Sequence, residues 1–519
     1  MNPRPSKTGI GAAELTALTF CAASLALLAW YYLSLRSAFF DDVFISLHIA
    51  RNGADHSTWQ YFVLMNRPAS LASSPLKILL LTIAAKITTI LGFTDRTFFN
   101  AKLVLVVYAP LSWAIWYPFW RKRIAAFACL GAIYFTCALC LDAAVDFEGG
   151  LLFCWVATVA FLVGEPENHV HKLGWAIPLG FLIRPDAAIP VVAATAVVLG
   201  GRVLWRTFKS ALARGAALSI VWSVLCWLMH VWPIPVTYWV KAALPTLTEE
   251  KFMIEVFFER LGLVSASRLL NSSAAASLLG MVIVLSFVLV TVRNGRARLA
   301  GFVAVVASGL LLLHVPSGFW WYYQNDIMVL IGVAIGLLAR HRLSEIIFTS
   351  GIRPVGVFVL AVMLTLLAGK AFVDGPTGWR MDAPSRGQAY AYIGSKAVGD
   401  GSYELPGIGN VFIKNPEIGM TSYFSGDKAW LWDSGGLAQP LPDPLVQNSA
   451  LRHFFPERLR ETALTDVRIL ASRAHKPLRV MDVWAMDDRN FAQARQKCQY
   501  VIEEGAVCSN DFLGQGKSQ

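Results

Sequence analysis

Charge is scarce in this sequence. Of 519 residues only 15% are Asp, Glu, Lys or Arg, against about 25% in soluble globular domains. With 56% hydrophobic residues and a mean hydropathy of +0.52, this excludes an ordinary soluble domain. It points to a polytopic membrane protein. Cysteine is scarce as well. Six of the eight (Cys21, Cys129, Cys137, Cys140, Cys154, Cys226) lie in apolar segments and read as small core residues. Cys137 and Cys140 form a C-x-x-C without neighbouring histidines, which speaks against metal or redox use. Only Cys498 and Cys508 fall in the polar tail, where a disulfide would suit a location outside the cytoplasm. No internal repeat and no low-complexity tract occurs. No small-residue cleavage site follows the first apolar run, so 13–35 is expected to remain as a first membrane helix.

The charge that is present leans positive, with a net value of +11. No basic patch is interleaved with aromatics on a soluble segment, which excludes a nucleic-acid binder. The surplus instead follows the positive-inside bias of cytoplasmic loops. About a dozen apolar runs succeed one another, and basic clusters decide which of them span. Arg121–Arg123, then Arg202, Arg206 and Lys209, then Arg293, Arg296 and Arg298, then Arg340 and Arg342 should all be cytoplasmic, with Arg4 and Lys7. They all fall inside if the run 76–93 does not span. That run carries Lys77 and Lys86, and Thr82, Lys86 and Thr89 share one face at i, i+4, i+7. It is therefore read as a juxtamembrane helix lying at the outer interface.

The expected fold is thus a polytopic α-helical membrane protein. About eleven spanning helices fill residues 1–374, with outer loops at 36–98 and 232–275 and the N-terminus inside. A small extracytoplasmic α/β domain follows over 375–519, long enough for a core of its own. One tension is the 164–173 loop, cytoplasmic in this topology yet carrying Glu165 and Glu167 against Lys172. Acidic residues weigh little in the rule.

Charged residues near membrane level are costly and are functional candidates by default. This topology gathers several at the outer face: Asp41 and Asp42, Asp142, Asp146 and Glu148, Arg184 and Asp186, Lys241, and Tyr322 to Asp326 with Asn325. A carboxylate there can act as general base on an attacking hydroxyl, and Arg or Lys can hold a leaving phosphate. Each also has a plainer reading: a solvated boundary for the aspartates, a snorkelling end residue for Arg184, an interfacial anchor for Lys241, an aromatic belt for Trp320 and Trp321. A transporter or flippase of a lipid-linked sugar is the alternative class. Its site would sit near the bilayer midplane on broken helices in two related halves, and no such symmetry is visible.

Six stretches in order resemble one family. "DDVFISLHIARN" resembles the "DDAFI-x-x-RYARN" start of the first outer loop in bacterial GT-C fold glycosyltransferases, which take sugar from a polyprenyl phosphate. "ASSPLKILLL" resembles "TSPLW-x-LLL", which opens a juxtamembrane helix, and "DFEGGLLF" resembles "SGLETALF" with Glu148 at the glutamate. "LIRPDA" resembles "LTRPEG", and "PIPVTYWVKA" resembles "LPNTFYAKA". In the tail, "IGMTSYFSGDKAWLWDSGGLAQP" resembles "IGYFSGRRVLDLGGLTDP". The pattern is most similar to the mycobacterial terminal cell-wall arabinofuranosyltransferases and their bacterial kin. His48 and Val236 depart from it.

The resemblance implies an inverting transfer on the outer face of the bacterial inner membrane, from a polyprenyl-phosphate sugar, with arabinofuranose favoured. The acceptor would be a glycan, lipid or protein. Asp41 would be the base, and Asp42 would position substrate or share that role. Arg184 and Lys241 would contact the lipid phosphate, Arg51 and Glu148 would support the site, and Tyr238 and Asn325 complete the candidate contacts. No metal site and no cofactor are expected, the lipid-linked donor being a co-substrate.

Overall fold

The computed structural model describes residues 12–34, 41–65, 74–140, 148–164, 166–199, 201–233, 306, 320–340, 384–405, 409–415, 418–428, 430–433, 466, 468–476, 479–482 and 501–503. Of the expected spans, 276–292, 354–372 and all of 299–314 but Val306 lie outside these residues, as does the outer loop after Pro233.

The described chain is mostly helical. The first helices are α1 (Ala12–Ser34), α2 (Asp41–His56), α3 (Pro75–Ile90), α4 (Phe98–Ala114), α5 (Tyr117–Trp120) and α6 (Ile124–Cys140). They are followed by α7 (Glu148–Val163), α8 (Pro166–Ile183), α9 (Pro185–Leu199), α10 (Gly201–Leu228) and α11 (Trp320–Arg340). Local chemistry sets several of these boundaries. Pro75 and Pro185 occupy first helical positions, where a missing N–H costs nothing. Thr97 caps α4 by accepting from the Asn100 backbone N–H. Gly92, at φ +92°, closes α3 in a conformation that favours glycine.

Among the described residues, three stretches are long and apolar enough to cross a membrane: Glu14–Leu33, Phe98–Trp120 and Gly201–Leu228. The apolar helices Ile124–Ala138, Glu148–Val163, Ala187–Ala196 and Met328–Leu337 are shorter. All sixteen residues of α7 are buried, so its all-round apolar character reflects a central place in the bundle. It packs along α11, where Gly332 and Gly336 allow the backbones to meet. A Cβ on Gly336 would sit 2.2 Å from the Ala157 carbonyl oxygen, and one on Gly332 2.6 Å from that of Phe153. Two buried polar pairs lie within the bundle: Trp120 Nε1 donates to Thr158 Oγ1 at 2.9 Å, and Ser112 Oγ meets the Tyr134 hydroxyl at 2.9 Å.

Two sequence boundaries shift. The 164–173 stretch is not a loop, because α8 already begins at Pro166. Lys172 Nζ donates to the Phe119 carbonyl at 2.8 Å and lies within electrostatic reach of Arg121 and Lys122. The start of α8 therefore shares one end of the bundle with the Arg121–Arg123 turn. The cluster Arg202, Arg206 and Lys209 lies inside the first turns of α10 rather than before a helix starting near 211. Arg and Lys are strong helix formers, so the apolar run understates the helix.

The tail contributes α12 (Pro384–Ser395), β1 (Tyr403–Leu405), β2 (Gly409–Asn415), α13 (Gly419–Ser425), β3 (Leu431–Asp433), β4 (Arg479–Asp482) and β5 (Val501–Glu503). β2 is the hub of a mixed sheet. β1 pairs antiparallel with its first half (Leu405 opposite Gly409) and β3 parallel with its second half (Ile413 opposite Leu431). β4 runs parallel to β2, and β5 antiparallel to β4. Tyr403, Ile413 and Trp430 are wholly buried, in a core continuous with that of the helices. The junction is made by α13, which lies along α2.

Candidate functional site

Asp41 and Asp42 are the first two residues of α2, placed here by backbone position. The acidic step is thus the opening of a helix, not an extended boundary. A negative charge in a helix's first turn is favoured by the aligned peptide dipoles.

α2 is held from two sides. Toward α3, Arg51 is fully buried. Its NH1 donates to Thr89 Oγ1 at 2.9 Å, and its NH2 to the carbonyls of Phe93 and Thr94 at 2.9 and 2.8 Å. Arg51 therefore ties off the carbonyls after α3. Lys86 Nζ donates to the Ala54 carbonyl at 2.9 Å, and Trp59 Nε1 to Thr82 Oγ1 at 2.9 Å. The polar stripe Thr82, Lys86 and Thr89 thus bonds to α2 and the turn after it. The large apolar residues exposed along α3 and just beyond it are Ile83, Ile90, Leu91 and Phe93. The stripe was visible in the sequence, but what it faces was not: the carbonyls at the end of α2 and the Arg51 guanidinium needed partners away from water.

These bonds make the α2–α3 pairing antiparallel, with Arg51 opposite Thr89 and Ala54 opposite Lys86. The start of α2 therefore lies toward the end of α3 and the start of α4. There the Phe44 ring meets Phe98 at 5.8 Å between centroids.

At the other end of α3, three segments far apart in sequence converge. Lys77 on the first turn of α3, Glu148 at the first residue of α7, and Arg184 at the α8–α9 joint form a buried cluster. Arg184 NH1 lies 2.9 Å from Glu148 Oε2, and Lys77 Nζ 3.7 Å from Glu148 Oε1. The three residues are 3%, 6% and 7% exposed. Arg184 sits between two helices whose backbones run through it: its N–H donates to Gly180 and its carbonyl accepts from Ala188. Breaking so dry a cluster from one side leaves buried charge uncompensated.

A second network, with His48 and Asn52 buried at its centre, lies on the other face of α2. Arg96, in the connection between α3 and α4, donates from NH1 to His48 Nδ1 at 3.0 Å and to the Tyr423 carbonyl at 3.3 Å. Its NH2 donates to Asn52 Oδ1 at 3.0 Å and lies 3.7 Å from Asp55 Oδ2. His48 Nε2 lies 2.8 Å from the Tyr61 carbonyl. That carbonyl needs a donor, so Nε2 carries the proton and neutral Nδ1 accepts from Arg96. Burial first, and then the Arg96 charge, hold the His48 imidazole well below its ordinary pKa.

Sequence reasoning missed Lys77 as a partner of Glu148, and missed Arg96 entirely. His48, Asn52 and Asp55 recur at i, i+4 and i+7 on α2, a polar stripe that signals a buried partner. Nothing local marks Arg96 as that partner. Asn325 lies in the second turn of α11 and is placed by backbone alone; Lys241 and Tyr238 fall outside the described residues. Among the described residues no group of His, Cys, Asp or Glu is arranged to hold a metal ion. A groove of about 550 Å³ opens beside the β1–β2 edge, lined by Ser395, Lys396, Val398, Glu404 and Gly409, none of them an expected site residue. No family model matches the chain, and no curated protein or solved structure does.

Proposed function

We propose that the protein is a membrane glycosyltransferase of the GT-C type, with about eleven spans and its N-terminus inside. It passes a sugar from a polyprenyl phosphate, on the outer face of a bacterial inner membrane, to a hydroxyl of a glycan, lipid or protein. Within that class, arabinofuranose is the sugar our reading favours. The observation that supports it best is the place of Asp41 and Asp42. They open a helix braced by two arginines, the buried Arg51 and the partly buried Arg96, next to the aromatic contact of Phe44 with Phe98.

In this mechanism the Asp41 carboxylate takes the proton of the acceptor hydroxyl as its oxygen attacks the anomeric carbon. The bond from that carbon to the phosphate oxygen breaks, and the lipid phosphate leaves with the bonding pair. Asp42 positions the acceptor or shares the proton. A base acts within hydrogen-bond reach of its proton. Lys77 lies twelve residues from Thr89 on α3, about 18 Å at 1.5 Å per residue, and the aspartates lie beyond Thr89. In this reading Lys241 contacts the phosphate, with Tyr238 and Asn325 as donor contacts. Arg184, expected as a second phosphate contact, joins Lys77 and Glu148 in anchoring the ends of α3, α7 and α8.

A transfer assay in nanodiscs tests this. The purified protein receives a panel of polyprenyl-phosphate sugars, beginning with the arabinofuranosyl donor, with and without EDTA. Turnover of one donor by the wild type, lost in a folded Asp41→Asn variant, supports the reading. Near wild-type turnover in Asp41→Asn removes the base assignment. No turnover of any donor by a folded wild type favours transport of a lipid-linked sugar.

A further inference from the structure

We propose that the C-terminal region fixes the start of α2 through Arg96, making α13 a wall of the Asp41–Asp42 site and Arg96 its positioning residue; the word "site" here rests on the glycosyl-transfer reading. Phe44, His48, Asn52 and Asp55 form one stripe along α2. Every member of that stripe touches either α13 or the guanidinium that binds it. The Phe44 ring lies 5.3 Å from Tyr423 and 5.9 Å from Phe424. His48 and Asn52 accept from Arg96, whose NH1 also donates to the Tyr423 carbonyl. A second tie runs from the Tyr61 hydroxyl to the Ile418 carbonyl at 3.0 Å. Where α13 ends, Gly426 turns the chain at φ +67°, and a Cβ there would meet Arg96 Nε at 3.4 Å. Arg51, Asp55 and Asp427 also stand within electrostatic reach of Arg96, and His56 of His48.

The geometry needs a planar fork. One guanidinium reaches two acceptors on α2 and a carbonyl on α13 together; a lysine ammonium offers its donors from a single point. His48 is seven residues from Asp41, about 10 Å along the helix. The first turn of a helix lacks intrahelical partners for its N–H groups, so its aim depends on what clamps the turns behind it. A reacting group displaced by about 1 Å can cost about a hundredfold in rate.

The test uses the full chain in nanodiscs with Arg96→Gln, Arg96→Lys, the pair Arg96→Gln/His48→Arg, and Phe424→Ala, which attacks the contact from α13 with Arg96 intact. Hydrogen exchange is read over 43–56 and 418–426, with α7 as reference. In Arg96→Gln and Phe424→Ala, protection should fall about tenfold in both windows and stay unchanged in α7. Arg96→Lys should behave as Arg96→Gln does. kcat should drop by about a hundredfold, with donor KM changing less than about threefold. His48→Arg brings a guanidinium back to the same place and should restore both readouts in the Arg96→Gln background. Unchanged protection in Arg96→Gln, an equal loss in α7, or lost protection with undiminished kcat would overturn the proposal. If the wild type turns over no donor, the exchange windows still decide the contact, and only the glycosyl-transfer reading falls.

Discussion

Glu148→Gln removes a charge and almost no volume. In the native protein the Glu148 carboxylate lies between the Arg184 guanidinium at 2.9 Å and the Lys77 ammonium at 3.7 Å, and none of the three is more than 7% exposed. The variant leaves two cations facing a neutral amide in a dry place. Removing one member of a buried ion set costs about 3–5 kcal/mol. Spread over a chain of 519 residues, a change of that size should lower the melting temperature in detergent by about 3–5 °C. Because the cluster is shielded from solvent, the loss should be nearly independent of ionic strength. Replacing the whole cluster, as Lys77→Met/Glu148→Leu/Arg184→Met, should recover most of the lost stability, since apolar groups of similar volume substitute well for buried ion sets. The same triple variant separates two roles. If the cluster only anchors helix ends, transfer activity returns with stability; if it binds the donor, the variant is stable and inactive. A melting temperature within about 1 °C of wild type for Glu148→Gln would refute the energetic reasoning.

Other expectations follow from single contacts. Asp41→Asn should keep the wild-type melting temperature and lose transfer by about a hundredfold or more, the scale of general-base catalysis; retained turnover counts against it. Gly336→Ala puts a methyl 2.2 Å from the Ala157 carbonyl oxygen, so overpacking between α7 and α11 should cost about 1–3 kcal/mol in thermal stability. Acid should weaken the Arg96 network. His48 has a folded-state pKa well below the ordinary 6.5, so the unfolded chain takes up the proton first as pH falls. The stability it contributes is complete above 6.5 and is lost on acidification. Exchange protection of 418–426 should fall between pH 7.5 and 5.5, and His48→Asn, which keeps an acceptor for Arg96, should flatten that slope.

Much of the helical architecture was legible where its cause is local. The starts of α3 at Pro75 and α9 at Pro185 are set by proline's fixed φ, and the end of α1 by the loss of apolar character before Asp41. A helix was expected at 76–93, and one is observed at Pro75–Ile90. Glu148 and Arg184 could be nominated singly, because a charge beside an apolar run is rare enough to mark a site. Their contact could not be read, because 36 positions separate them in sequence.

What the amino-acid sequence determined by itself is the solvent this chain prefers, the helices its apolar runs impose, and the positions where charge is costly. Composition and periodicity act locally, so they survive without a fold. Which cation meets which carboxylate is a matter of helix packing. The antiparallel pairing of α2 with α3 turns the Thr82–Lys86–Thr89 stripe toward α2 and carries Asp41 away from Lys77. The docking of α13 on α2 makes Arg96, an unremarked loop residue, the joint between those two helices. Those outcomes depend on the burial of polar groups that need partners, and only the tertiary structure decides which partners are within reach.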